Sequence, residues 1–173
     1  MTAQSDFVPL SIAVLTVSDS RTLETDGSGA YLIEALQSEG HFVHQRELIA
    51  DDRYRLRAVV SNWIADADCH GVIITGGTGF TGRDSTPEAI EPLLDKLMPG
   101  FGELFRAISF EEIATSSLQS RALAGLANGT FIFCLPGSTG ACRTAWEKLL
   151  RAQFDARTKP CNLVGLRPRL LES

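Results

Sequence analysis

Residues 71–89 read GVIITGGTGFTGRDSTPEA. The apolar run from Val72 to Thr75 has the character of a buried strand. It leads directly into Gly76, Gly77, Gly79 and Gly82, with Thr78, Thr81 and Arg83 between and after them. Asp84 follows, then Ser85-Thr86-Pro87-Glu88, which reads as a helix start: Ser85 and Glu88 have capping-box spacing, and Pro87 suits a first helical turn. A strand, a glycine turn and a helix N-terminus in succession predict a site for a phosphate or another anion. Glycines let the backbone approach the ligand, and the free amides of the helix start point at it. Asp84 adds a requirement, because a carboxylate beside a phosphate needs a metal ion or another cation between them. The literal G-x-G-x-x-G from Gly77 to Gly82 is not a dinucleotide fingerprint. That motif opens its helix directly and is followed by an acidic-ended strand about 20 residues later. Here Pro87 sets the helix start after the last glycine, and Phe101 to Ile113 reads as a helix. No G-K-[ST] is present, which excludes a P-loop.

A second loop repeats the pattern. Phe131 to Leu135 (FIFCL) is an apolar strand ending in Pro136-Gly137-Ser138-Thr139-Gly140. The helix that follows carries Cys142, Ala145, Trp146, Leu149 and Leu150 on one face, and Ser138 or Thr139 can cap it. Two such turns can meet at one edge of a parallel sheet, where open α/β proteins place their ligands.

Strands and helices alternate along the chain. Ile12 to Val17 reads as a first strand ending in Ser18-Asp19-Ser20. After Asp26-Gly27-Ser28-Gly29 a helix turns Tyr31, Leu32, Ala35 and Leu36 inward and stops at Gly40. Phe42 to Ile49 is a second strand, placed at an edge by Gln45, Arg46 and Glu47. Asp51-Asp52 opens a helix bearing Leu56, Val59, Val60, Trp63 and Ile64, and either aspartate can cap it. A short helix is expected from Pro87 to Leu94, then an amphipathic one with Phe101, Leu104, Phe105 and Ile108 inward. Phe110 and Ile113 fall outside that stripe and, with Ser116 to Leu123, are expected to form a subunit contact. Arg121 to Leu126 reads as a strand joined by an Asn128-Gly129 hairpin turn to Phe131 to Leu135. The fold class is therefore α/β, a mostly parallel sheet with one antiparallel hairpin.

With 173 residues, the chain is expected to be one domain spanning 1–173, with 1–10 and 161–173 as terminal extensions. A net charge of −5 argues against general nucleic-acid binding. No apolar run approaches membrane-spanning length, and Met1 to Leu10 lacks the pattern of a secretory signal. Cys69, Cys134, Cys142 and Cys161 form no C-x-x-C pair, and Cys134 and Cys142 read as buried thiols, so a cytoplasmic location is expected. His41, His44 and His70 show no metal-ligand spacing; on a strand, positions 41 and 44 face opposite ways.

Thr75-Gly76-Gly77-Thr78-Gly79, Arg83-Asp84-Ser85-Thr86-Pro87-Glu88 and Pro136-Gly137-Ser138 together resemble the MoaB/Mog family of molybdenum cofactor biosynthesis proteins. The resemblance extends to Val17-Ser18-Asp19, Asp26-Gly27-Ser28-Gly29 and Phe101-Gly102-Glu103. SSLQSRALAG from Ser116 and Cys142-Arg143-Thr144-Ala145-Trp146-Glu147 are closest to the MoaB branch. The resemblance implies a three-layer α/β/α fold, molybdopterin as the pterin ligand, and a homo-oligomer, either a trimer or a hexamer of two trimers. In Mog-type members the domain adenylylates molybdopterin with MgATP. Carried over, Thr75, Gly76, Gly77, Thr78 and Gly79 would hold the phosphates of pterin or nucleotide. Asp84 and Asp51 would be the functional aspartates and tentative Mg²⁺ ligands, and Asp26, Pro136, Gly137 and Ser138 would line the same pocket. Arg83 could clamp a phosphate oxygen or stay in solvent. The alternative role is a non-catalytic pterin-binding or scaffold protein of the same pathway, working with other proteins of that pathway.

Overall fold

The computed structural model describes residues 6–172; of the expected terminal extensions, residues 1–5 and Ser173 lie outside the described residues. Six strands form one sheet in the order β2-β1-β3-β6-β5-β4. Strands β1 (Ser11–Val17), β2 (Phe42–Ile49), β3 (Gly71–Thr75) and β6 (Thr130–Leu135) are mutually parallel. β5 (Leu123–Ala127) runs antiparallel to β6 through the turn at Asn128 and Gly129, whose φ values are 46° and 81°. That sign at both central residues is the primed turn that suits strand twist. The short edge strand β4 (Lys96–Leu97), which has no periodic signal in the sequence, pairs with the other side of β5.

The sheet is covered on both faces, which explains why its central strands are apolar throughout. On β1, Ile12 and Val14 join one buried cluster while Ala13, Leu15 and Val17 join the other, the period-two alternation of a strand. The first cluster brings in α1 (Gly27–Ser38), α4 (Pro99–Ile113) and α5 (Thr139–Ala145) through Leu32, Leu36, Phe101, Phe105, Cys142 and Ala145. The second brings in α2 (Arg53–Ala65) and α3 (Thr86–Ile90) through Leu56, Val60, Trp63, Ala89 and Ile90. The result is the expected three-layer α/β/α sandwich. β2 occupies an edge, as its polar residues required. Leu163 and Val164, from the far end of the chain, pack into the first cluster.

Two local expectations are corrected. Leu104 is 56% exposed rather than turned inward, and Phe101 and Phe105 are the buried apolar side chains of that part of α4. The Ser85–Glu88 capping box does not form. Ser85 sits at the N-cap of α3 without a side-chain cap bond, because its hydroxyl is donated to Asp51 at 2.6 Å. Among the described residues no helix is long and apolar enough to cross a membrane. Cys134 and Cys142 are buried thiols, and burial raises both.

Candidate functional site

β1 lies where the chain changes direction: its crossover to β2 goes one way across the sheet, and β3 and β6 lie the other way. The C-terminal ends of β1, β3 and β6 therefore share one edge beside a topological switch point, the usual ligand position in open α/β sheets. A cleft of about 680 Å³ opens there, within the range of small-ligand sites. One side is formed by Thr16 to Ser18 at the end of β1, the floor by Thr75 to Gly79 and Pro136 to Ser138, and the far wall by α4 and α5.

The two glycine turns lie side by side. Thr75 pairs with Leu135, Gly76 N–H donates to Leu135 O at 3.0 Å, and the Thr75 hydroxyl donates to Pro136 O at 2.9 Å. Gly76 and Gly77 have φ of 106° and 65°, a region closed to most side chains. A Cβ on Gly76 would collide with Val17 O, and one on Gly77 with Thr86 Oγ1 and Asp51. The sequence needs glycine here because the turn is pressed against β1 below and the start of α3 behind. Ser138 caps α5 by accepting from Ala141 N–H at 3.1 Å. Helical structure continues past α5 through a π-helical turn (Trp146–Leu150), so the helix start that faces the cleft belongs to a longer element.

The three aspartates singled out from the sequence differ in placement. Asp84 lines the cleft. Its Oδ2 accepts from Thr81 N–H at 2.8 Å and Thr81 Oγ1 at 2.6 Å, and the hydroxyl bond above all holds its carboxyl below the usual range. Asp51 lies behind Gly77 rather than in the cleft wall. It accepts the Ser85 hydroxyl, and its own N–H donates to Asp19 at 3.0 Å. Burial pushes the Asp51 carboxyl up against the lowering bonds from Ser85, with the charges of Asp84 and Asp19 adding to the rise. The helix cap once open to either aspartate belongs to Asp52, which accepts from Tyr54 and Arg55 N–H. Asp26 is buried one layer below the cleft. It caps α1 through Gly29 N–H at 2.9 Å, and takes the Thr16 hydroxyl at 2.7 Å and Arg46 at 3.0 Å. Burial alone would raise its carboxyl, but these bonds outweigh it and hold it low.

Cations were less visible from sequence. Arg83 is not part of the cleft wall; it forks Asp19 with two bonds of 2.8 Å and is largely exposed. Arg21 lines the cleft instead. It donates to Ser28 Oγ at 2.9 Å, and Ser28 in turn donates to Gly137 O at 2.7 Å, which ties α1 to the second turn. Its only sequence signal is its place just after the first strand's polar end. Arg121 grips the glycine loop from outside. Its Nε donates to Gly79 O at 2.8 Å, its Nη2 to Asp84 O at 3.2 Å, and its Nη1 pairs with Glu88. No local pattern marks that role, because Arg121 is about 40 residues from the loop it holds. His41 and His70 accept backbone N–H bonds at the start of β1. Among the described residues no group of three or more His, Cys, Asp or Glu could hold a metal ion.

A family model for a "Probable molybdopterin binding domain" matches residues 13–156. The molybdenum cofactor biosynthesis protein B of Escherichia coli K12 is 56% identical over 158 residues, 91% of this chain and 93% of that protein. The protein of the same name from Bacillus subtilis (strain 168) is 44% identical over 138 residues, 79% of this chain and 81% of its own. In structure, the tungsten cofactor synthesizing protein MoaB of Pyrococcus furiosus matches with a TM-score of 0.73 at 36% identity, covering 82% of this chain and 90% of that one.

Proposed function

Because this chain belongs to the family of molybdenum cofactor biosynthesis proteins that carry this domain, we propose that it binds molybdopterin between its two glycine turns and adenylylates the pterin's terminal phosphate with MgATP. The observation that carries this reading is the pairing of two strand–glycine–helix turns at one sheet edge, with Arg21 beside them. Backbone amides and a guanidinium there suit phosphate groups.

In the proposed reaction the terminal phosphate of molybdopterin attacks the α-phosphate of ATP and pyrophosphate leaves. Such transfer asks the protein for alignment and charge neutralisation rather than covalent work. Gly77 to Gly79 would fix the phosphates by their amides, since the Gly76 N–H is already given to Leu135 O, and Arg121 and Asp84 would keep that loop in one shape. Mg²⁺, when bound, would neutralise charge on the transferring phosphoryl group. Asp84, which lines the cleft, would hold it, and Asp51, behind Gly77 with its Oδ1 bonded to Ser85, would join only by turning its other oxygen toward the cleft. Mg²⁺ sites built from one or two carboxylates, substrate phosphates and waters are ordinary. The four free cysteines fit a cytoplasmic setting.

The same reading includes assembly as a trimer or a hexamer of two trimers. Phe110, Ile113 and Leu118 are each more than half exposed on neighbouring turns, an apolar surface of the kind that subunits cover.

The test is turnover. Purified protein with molybdopterin, ATP and Mg²⁺ should release pyrophosphate and yield adenylylated pterin, and Asp84→Asn should nearly abolish this while the fold persists. Pterin binding without product would give the non-catalytic scaffold role instead.

A further inference from the structure

The cleft has a second, chemically opposite end. Along α5, away from the glycine turns, Glu112 from the last turn of α4 forms part of the wall. Its Oε2 accepts a 2.8 Å hydrogen bond from Thr144 Oγ1 on α5. Thr144 is 7% exposed, so the donor is fixed by packing and holds an otherwise mobile surface carboxylate at the cleft. Ser109 and Ser116 add small hydroxyls to this end, above the buried Phe105. Ser138 and Thr144 belong to the same helical stretch, and six residues at 1.5 Å each put the two ends about 9 Å apart.

The cleft therefore favours a ligand with an anion at one end and paired N–H donors about 9 Å away, one helical stretch apart. A pterin carrying a phosphorylated side chain fits this description, because its 2-amino group and N3–H donate side by side. A carboxylate has about four lone-pair positions, enough to accept both while keeping the Thr144 bond. We propose that Glu112 recognises the amino–amide edge of the pterin and that Thr144 positions its carboxylate. This assigns the specificity-determining residue of the cleft and rests on the pterin reading above.

The experiment compares two compounds that differ at one position: 6-hydroxymethylpterin phosphate and the matching lumazine, in which a carbonyl replaces the 2-amino group. Calorimetric titration of the wild-type protein should show the pterin binding at least about 30-fold tighter, since the carbonyl removes a donor and faces the carboxylate. In Glu112→Gln the preference should fall below about threefold, because an amide can donate to the carbonyl as well as accept from the amine. Thr144→Val, nearly isosteric, should lower the ratio by about threefold or more by freeing the carboxylate. The ratio is insensitive to general loss of stability, so Thr144→Val decides the matter even if Glu112→Gln folds poorly. A Glu112→Gln protein that keeps the wild-type preference overturns the assignment. Wild-type protein that binds both compounds equally overturns it too but leaves the pterin reading standing, whereas wild-type protein that binds neither ends both.

Discussion

Replacing Gly77 by alanine tests why the loop has its sequence. Gly77 has φ of 65°, and a Cβ there would press on Thr86 Oγ1 and Asp51 Oδ2 at once. An L-residue in the left-handed region costs about 1–2 kcal/mol. Thr86 cannot move aside freely: it is fully buried, its hydroxyl donates to Gly76 O at 2.8 Å and its N–H donates to Gly77 O at 2.9 Å. Displacing that hydroxyl leaves a buried polar group unpaired, at about 1–3 kcal/mol. The reduced freedom of the unfolded chain returns about 0.4–1 kcal/mol. The net loss is about 1–4.5 kcal/mol, which for a domain of this size is a Tm drop of about 2–18 °C. Gly82→Ala is the matched control, since nothing lies within 4 Å of its would-be Cβ, and it should stay within about 0.5 kcal/mol of wild type. Differential scanning calorimetry of the three proteins reads this directly. If Gly77→Ala melts with wild type, the loop is not braced against Asp51 and Thr86 as described.

Asp26→Asn should cost about 1.5–3 kcal/mol at pH 7, the worth of a charged bond to Arg46, by denaturant titration. Because its hydrogen bonds hold the folded-state carboxyl of Asp26 below the usual aspartate range, its contribution is present above that range and fades as pH falls through the folded pKa; the gap between mutant and wild type should shrink there, and a constant gap would refute the charge argument. Arg121→Gln removes the donors on Gly79 O and Asp84 O; amide exchange across residues 78–84 should speed up about tenfold or more, a loss of about 1.4 kcal/mol, while β1 and β3 stay protected. Phe110→Asp places a charge on the exposed apolar surface and should convert the proposed oligomer to monomer by light scattering. A folded variant that keeps its mass would move the interface elsewhere.

The sheet could be read from the sequence because its strands are short apolar runs punctuated by glycine, proline and an Asn-Gly turn, all local signals. The sheet edge followed from the polar residues Gln45, Arg46 and Glu47. What escaped were features created by tertiary contact. Ser85 has the spacing of a cap, but Asp51, 34 residues away, takes its hydroxyl. Leu104 fits a helical stripe, yet it is 56% exposed while Phe101 and Phe105 are buried. The aspartates were recognisable as a set, but whether each faces the cleft, the loop's underside or the start of α1 depends on crossovers that no local pattern encodes. Arg21, Arg121 and Glu112 were missed for the same reason: charged residues on loops and helix faces look like solvent-facing ones until the chain folds them over a cleft.

The central claim is that the cleft between the two glycine turns holds molybdopterin, and a crystal structure of the protein with bound molybdopterin tests it most directly. The expected result places the terminal phosphate about 2.7–3.2 Å from amide nitrogens of Gly77 to Gly79, with the ring system lying along α5 toward Glu112. Pterin density at another surface, with this cleft filled only by water, would contradict the account.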